Sequence, residues 1–236
     1  MRLLLTLQYL GTRYAGWQFQ ANALSVQQVV EDALATVYGE PVRVHGAGRT
    51  DAGVHAAEQC AHADVPFEIP QRGLILGVNQ SLPADVRLLA VESVADDFHA
   101  RYAAKWKTYE YRIWNAPVAD VFAAETHAHV AQELDVALMH ETAQQLAGTH
   151  DFKVFTVVDP EVSSTIRLIR SIEVLRDGPA IRIRVSADGF LRFMVRRIAG
   201  SLIEIGRGKL APEALFDEAR WTAPAKGLIL REIRYR

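Results

Sequence analysis

Cysteine is almost missing from this chain of 236 residues: Cys60 stands alone, so no intrachain disulfide can close and no cysteine pair offers zinc-ligand spacing. A reducing cytoplasm suits such a chain, with Cys60 a small buried apolar residue rather than a nucleophile. Also absent is any apolar stretch near the roughly 20 residues that a membrane-spanning helix needs. The run Leu3-Leu4-Leu5 is cut by Thr6 and Gln8, and no small-residue cleavage site follows, which argues for a core strand over a signal peptide. None of the eight histidines stands in a His-Glu-x-x-His arrangement, and His127 with His129 lacks a third ligand nearby, so neither a metal nor another cofactor is expected. Gly11 and Gly16 are not followed by the Gly-Lys-Ser/Thr of a phosphate loop.

A strong charge of one sign is missing too, the net value being −2. The average hides an asymmetry: residues 1–100 hold 6 Lys/Arg against 11 Asp/Glu, and residues 101–236 hold 20 against 17. Most of those later cations are arginines, among them Arg167, Arg170, Arg182, Arg184, Arg192, Arg196 and Arg197, whose planar forks suit phosphate oxygens. Half of the residues are hydrophobic, enough for a sizeable core in one large or two small domains.

Leu3, Leu5, Leu7 and Tyr9 alternate with Arg2, Thr6 and Gln8 as a half-buried strand does. Ser25 and Gln28 form a capping-box signal for a helix over 25–38 that Gly39 stops. Strands follow near 41–45, 57–65 and 86–94, with a Pro70-led helix between the last two. Beyond residue 100, Tyr109, Tyr111 and Ile113 alternate in a strand, and another lies near 126–131. A helix spans 135–147, and strands at 165–176 and 180–187 meet at Asp177-Gly178, where Pro179 widens the hairpin. Leu191, Val195, Ile198, Leu202 and Ile205 line a helix ended by Gly206. A Pro212-led turn and a strand near 227–235 close the series. The succession predicts an α+β architecture with antiparallel sheets covered on one face, in two halves, 1–100 and 101–236.

The densest local signal is Gly46-Ala47-Gly48-Arg49-Thr50-Asp51-Ala52-Gly53-Val54-His55. Small residues and glycines let a planar group approach the backbone here and meet the Asp51 carboxylate. On composition alone such an aspartate caps a helix or closes a turn. Its order, however, resembles the signature of tRNA pseudouridine synthases of the A type, and so do Tyr9-Leu10-Gly11-Thr12, Gly16-Trp17-Gln18, Phe98-His99-Ala100-Arg101, Lys107-Thr108-Tyr109-Glu110-Tyr111-Arg112, His150-Asp151-Phe152, Thr165-Ile166-Arg167, Met194-Val195-Arg196-Arg197 and Gly227-Leu228. Leu10 departs from the family's usual Asp and Phe193 from its usual His.

The resemblance implies two ferredoxin-like halves forming a central cleft, a homodimer, and conversion of uridine to pseudouridine at positions 38, 39 and 40 in the anticodon stem-loop of tRNA. It makes Asp51 the nucleophile, Arg49 the residue that helps flip the base, Tyr109 the ring that stacks on it, and Arg196 the partner of the aspartate. Gly53 and His55 in the same motif, and Arg192 and Arg197 beside Arg196, are expected to contact the RNA. An aspartate of ordinary pKa, near 3.9, is charged at neutral pH, so activation needs no cofactor. Two other readings stand beside this one: a non-catalytic protein binding structured RNA on the same scaffold, and a hydrolase using Asp51 as base, against which the missing nucleophile–base pair counts.

Overall fold

The computed structural model describes residues 1–157 and 163–235. The chain divides into two compact units, Met1–Lys105 together with the chain from Leu230 onward, and Trp106–Ile229. The division thus falls slightly beyond residue 100, and most of the last strand, expected with the second half, belongs to the first.

In the first unit β1 (Arg2–Tyr9) leads to α1 (Val26–Tyr38), the short β2 (Val44–Gly46), β3 (His55–Asp64), α2 (Gln71–Ser81) and β4 (Val86–Val94). β3 and β4 both pair antiparallel with β1, and β2 pairs antiparallel with β3. The order β4-β1-β3-β2 of a β-α-β-β-α-β chain is ferredoxin-like. Leu3, Leu5, Leu7 and Tyr9 are buried as their alternation requires. α1 begins where Ser25 accepts a bond from the Gln28 amide and ends at Gly39, at φ 76. Its buried Val26, Val30, Ala33 and Leu34 form one face, and α1 packs on α2, which packs on β4. Each such apolar side chain fully buried stabilises the unit by about 1.5–3 kcal/mol.

The pairing of β1 with its neighbours is irregular toward its end. Its register slips against β3 between Leu7 and Tyr9 and against β4 between Thr6 and Leu7. In both cases the extra residue lies on the partner strand, between Ala56 and Gln59 of β3 and between Leu88 and Ala90 of β4, so β1 keeps its alternation and Tyr9 stays on the buried face.

In the second unit come β5 (Trp106–Asn115), β6 (Ala128–Val130), α3 (Val136–Gln144), β7 (Gly148–Asp151), β8 (Ile166–Asp177), β9 (Ala180–Ala187) and α4 (Met194–Gly206). β10 (Leu228–Arg234) follows. β5, β9 and β8 lie side by side antiparallel, β7 extends the β8 edge and β6 runs parallel to β5. α3 packs on β8 and on α4, and α4 on β5. No helix of the described residues is long and apolar enough to cross a membrane.

Two expectations need correction, and one strand is added to them. Pro179 does not widen the hairpin: Asp177 pairs with Ala180 across a two-residue turn, and the Pro179 carbonyl accepts from the Asn115 amide at 2.7 Å. α4 begins only at Met194, because Phe193 takes a left-handed φ of 62 and breaks the helical path from Leu191. β7 was not foreseen, being four residues against a longer partner strand.

Several of the later arginines are committed within their unit. Glu110, 1% exposed, takes Arg112 at 2.8 Å and Arg184 at 3.0 Å, and Arg184 also reaches Glu173. Arg182 pairs with Asp177. The positive excess of residues 101–236 is therefore only partly available to a ligand.

One feature of the first unit couples its stability to pH. His62, 3% exposed, clusters with His45, with centroids 4.9 Å apart, and His99, 4.6 Å apart, which themselves lie 6.4 Å from each other. Burial first, then His99, His45 and Arg2, hold its pKa at about 4 against the ordinary 6.5, and Asp64 opposes them. The folded state thus excludes a proton that the unfolded chain accepts below its own pKa. This contribution is intact above pH 6.5 and is lost as pH falls toward 4. We expect it to remove about 2 kcal/mol between about pH 6.5 and pH 5. Urea unfolding across that window checks it: the His62→Gln variant is to give a flatter slope than the wild type, and equal slopes would refute the assignment.

Candidate active site

The Asp51 loop is built by two segments far apart in sequence. The residues after β1 form a 3-10 turn, Gly11–Arg13, and run on to Trp17. This stretch lies against residues 47–55. Tyr9 shares a 2.8 Å hydrogen bond with the Thr50 hydroxyl, and the Gln59 amide nitrogen donates to the Gly48 carbonyl at 3.0 Å. The Trp17 amide donates to the Thr50 carbonyl at 3.1 Å, and the Gly53 amide to the Tyr14 carbonyl at 3.3 Å. The Gly11 amide donates to Nδ1 of His55 at 2.9 Å. Within the loop the Val54 amide bonds the Asp51 carbonyl at 3.1 Å, closing a turn that holds Gly53 at φ 77.

Burial alternates along the loop: Arg49 is exposed, Thr50 buried and Asp51 half-buried. Thr50 is thus the anchor, and residues on either side of it are turned outward. Burial drives the Tyr9 pKa up to about 12, offset in part by its bonds to Thr50 and Gln59, so this phenol stays a neutral bonding partner. Gly11 and Gly16 both approach the loop too closely for a side chain, a Cβ on Gly11 running into the Val54 carbonyl, but of the two only Gly16 also has a left-handed backbone. It sits at φ 101, and a Cβ there would lie 2.6 Å from the Thr50 carbonyl oxygen and 3.2 Å from the Asp51 carbonyl carbon. No other residue type fits this approach without moving the loop.

Each expected site residue has a definite place. Arg49, Asp51, Gly53 and His55 share the loop; His55 is buried at 2% exposure beneath it, with the Gly11 amide on its ring. In the second unit Tyr109, 9% exposed on β5, meets Phe190 edge-on, with ring centroids 5.0 Å apart at 86°. Tyr111, two residues on, is fully buried and donates to the Pro224 carbonyl at 2.9 Å, and burial pushes its pKa up. Arg196 donates from Nε to the Ala223 carbonyl at 2.8 Å, and its guanidinium lies 5.2 Å from the Phe193 ring. The exposed Arg192 reaches the same ring at 5.0 Å. Arg197 turns elsewhere, donating to the Val154 and Thr156 carbonyls at 3.1 and 2.6 Å. Its fork is used to hold backbone.

Sequence reasoning missed the loop's supports. Tyr9 and Gly16 stood out only as motif letters, and Gln59 not at all, because the bonds that give them meaning span as many as 50 residues. Among the described residues no cluster of His, Cys, Asp or Glu suits a metal ion.

Comparison with known proteins accords with this arrangement. The family model described as tRNA pseudouridine synthase matches residues 6–103 and 142–236, taking in the Asp51 loop and α4, while Tyr109 falls between the two matched segments. The chain is 43% identical to tRNA pseudouridine synthase A of Moorella thermoacetica and 42% identical to that of Ruminiclostridium cellulolyticum, with 99% of each chain covered in both cases. The Syntrophotalea carbinolica enzyme of the same name is 41% identical over 98% of this chain and 95% of its own. Identity at this level, sustained along almost the whole length, shows that the chain belongs to the family of tRNA pseudouridine synthases, isomerases that act on uridine in tRNA.

Proposed function

We propose that this enzyme isomerises uridine at positions 38, 39 and 40 of the tRNA anticodon stem-loop, with Asp51 as its nucleophile. The observation that carries the reading is the loop itself. A half-buried carboxylate stands on backbone that Tyr9, Gly16, Trp17 and Gln59 fix from below, in the order Gly-Arg-Thr-Asp-Ala-Gly-Val-His. A nucleophile held this firmly loses little orientational freedom on reaction.

The chemistry needs no electron transfer and no change of mass. The C1′–N1 bond breaks, and the Asp51 carboxylate bonds to one fragment, at uracil C6 or sugar C1′, while the ring turns. C5 then bonds to C1′ and sheds its proton, N1 gains one, and the carboxylate is released. The uridine must leave the stack first, an extrusion costing a few kcal/mol. Arg49, exposed two residues before Asp51, is assigned the role of holding the flipped nucleotide's phosphate, which its exposure supports. Tyr109 and Arg196 are assigned to the same reaction by their motifs, the first as the ring that stacks on uracil and the second as the cation that keeps the carboxylate ionised. We infer a homodimer working in the cytoplasm from the same resemblance.

Carbodiimide labelling and reverse transcription of tRNA treated with the enzyme test the position. Stops are expected at uridines 38 to 40. Stops confined to another arm of the tRNA would leave the isomerase and remove the positional assignment.

A further inference from the structure

The first unit carries a second aromatic feature outside the Asp51 loop. Four rings form a stepped ladder buried at its middle: the exposed His45 stacks on the buried His62, with centroids 4.9 Å apart at 20°, and lies 6.4 Å from His99; His62 meets His99 at 4.6 Å, and His99 meets Tyr102 at 4.3 Å and 33°. Tyr102, the last rung, is 79% exposed. Most exposed aromatic side chains move freely, and this one is backed by a fixed ring.

The fixing is done by the histidines themselves. Nδ1 of His62 accepts from the Ala100 amide and Nδ1 of His99 from the Arg101 amide, both at 3.2 Å. The Ala103 amide closes the turn on the His99 carbonyl at 2.9 Å. Both acceptor nitrogens must be unprotonated, and burial with neighbouring cations lowers the pKa of both rings, so His62 and His99 are neutral at neutral pH. A preorganised ring backed by neutral His99 and left open on its far face suits a planar ligand, because little freedom is lost on binding.

We propose that the open face of Tyr102 is a stacking subsite for one nucleobase of the tRNA, distinct from the uridine that is isomerised. The proposal rests on the reading that tRNA is the substrate. The charges around the ladder favour a single base over a run of backbone. Arg101, exposed, offers one phosphate contact, while the charges of Asp96 and Asp97 reach Arg2 nearby and would repel further phosphates. Base–aromatic stacking tolerates any base, so the subsite would position the tRNA without reading its sequence.

Tyr102→Ala and Tyr102→Phe test it with an unmodified tRNA transcript. The alanine variant is expected to raise the dissociation constant and KM by about tenfold, within the range of one base–aromatic stack. Its kcat and unfolding midpoint should hold, and the phenylalanine variant should restore affinity. A Tyr102→Trp variant gives a direct reading, its indole fluorescence being quenched when tRNA binds. Unchanged affinity in Tyr102→Ala overturns the proposal, as does a change in oligomeric state with tRNA affinity untouched, which would make the rung a contact between copies. Wild-type activity is measured alongside: an inactive wild type that binds tRNA through Tyr102 would fail the synthase reading and keep the subsite.

Discussion

Asp51→Asn is expected to abolish tritium release from tRNA carrying 5-tritiated uridine, lowering the rate by at least about 10³-fold, as loss of an essential nucleophile does. Asparagine keeps the size and most of the bonding capacity of aspartate but cannot form the ester or adduct that holds the two fragments together. The loop's anchors are Thr50, Gly16 and Gln59, which the substitution leaves alone. The unfolding free energy should therefore stay within about 0.5 kcal/mol of wild type, and tRNA affinity should persist. A variant that releases tritium at the wild-type rate would end the nucleophile assignment. One that unfolds would instead make Asp51 a turn residue, and no release by folded wild type would favour a protein that only binds RNA.

Gly16→Ala should be nearly as damaging from outside the motif. At φ 101 an L side chain is strained, and its Cβ would meet the Thr50 carbonyl oxygen at 2.6 Å, so either the strand exit or the Asp51 loop must move. A loss of about 2–4 kcal/mol is expected, together with a fall in kcat of about 10²-fold, since a 1 Å displacement of a reacting group suffices for that. Gly39→Ala is the control. Its φ of 76 is also left-handed, but nothing lies within 4 Å of a Cβ there, so it should cost only about 1 kcal/mol and leave turnover intact. Equal effects of the two substitutions on stability and rate would mean that the contact with Thr50 does not position Asp51.

What the sequence made legible follows from the range of the forces involved. α1 was readable end to end because its signals are local: Ser25 caps it, Gly39 ends it, and its apolar spacing lies within one element. The Asp51 loop was readable because its motif is contiguous. The bulge in β3 opposite the end of β1 and the bond from Tyr9 to Thr50 were not, since each depends on strand register fixed across distant segments. The start of α4 was misplaced for a different reason. Leu191 has the helical spacing of the apolar face, but the left-handed Phe193 stands between it and the helix, and no pattern of apolar residues reports a backbone angle. Arg192 and Arg196 consequently meet over the Phe193 ring instead of along one helix face.

The order in which the units lie along the chain sets a timetable for synthesis. The first unit is interrupted: after Lys105 the chain builds the whole of Trp106–Ile229 before the strand that flanks β3 returns at Leu230. At about 5–20 residues per second, the sheet beneath the Asp51 loop waits roughly 6–25 s for that strand. During this interval the nascent β3 has an open edge able to pair with the wrong partner. The unit that emerges first from the ribosome is thus the last to be finished, and an RNA-modifying loop made early becomes competent only late.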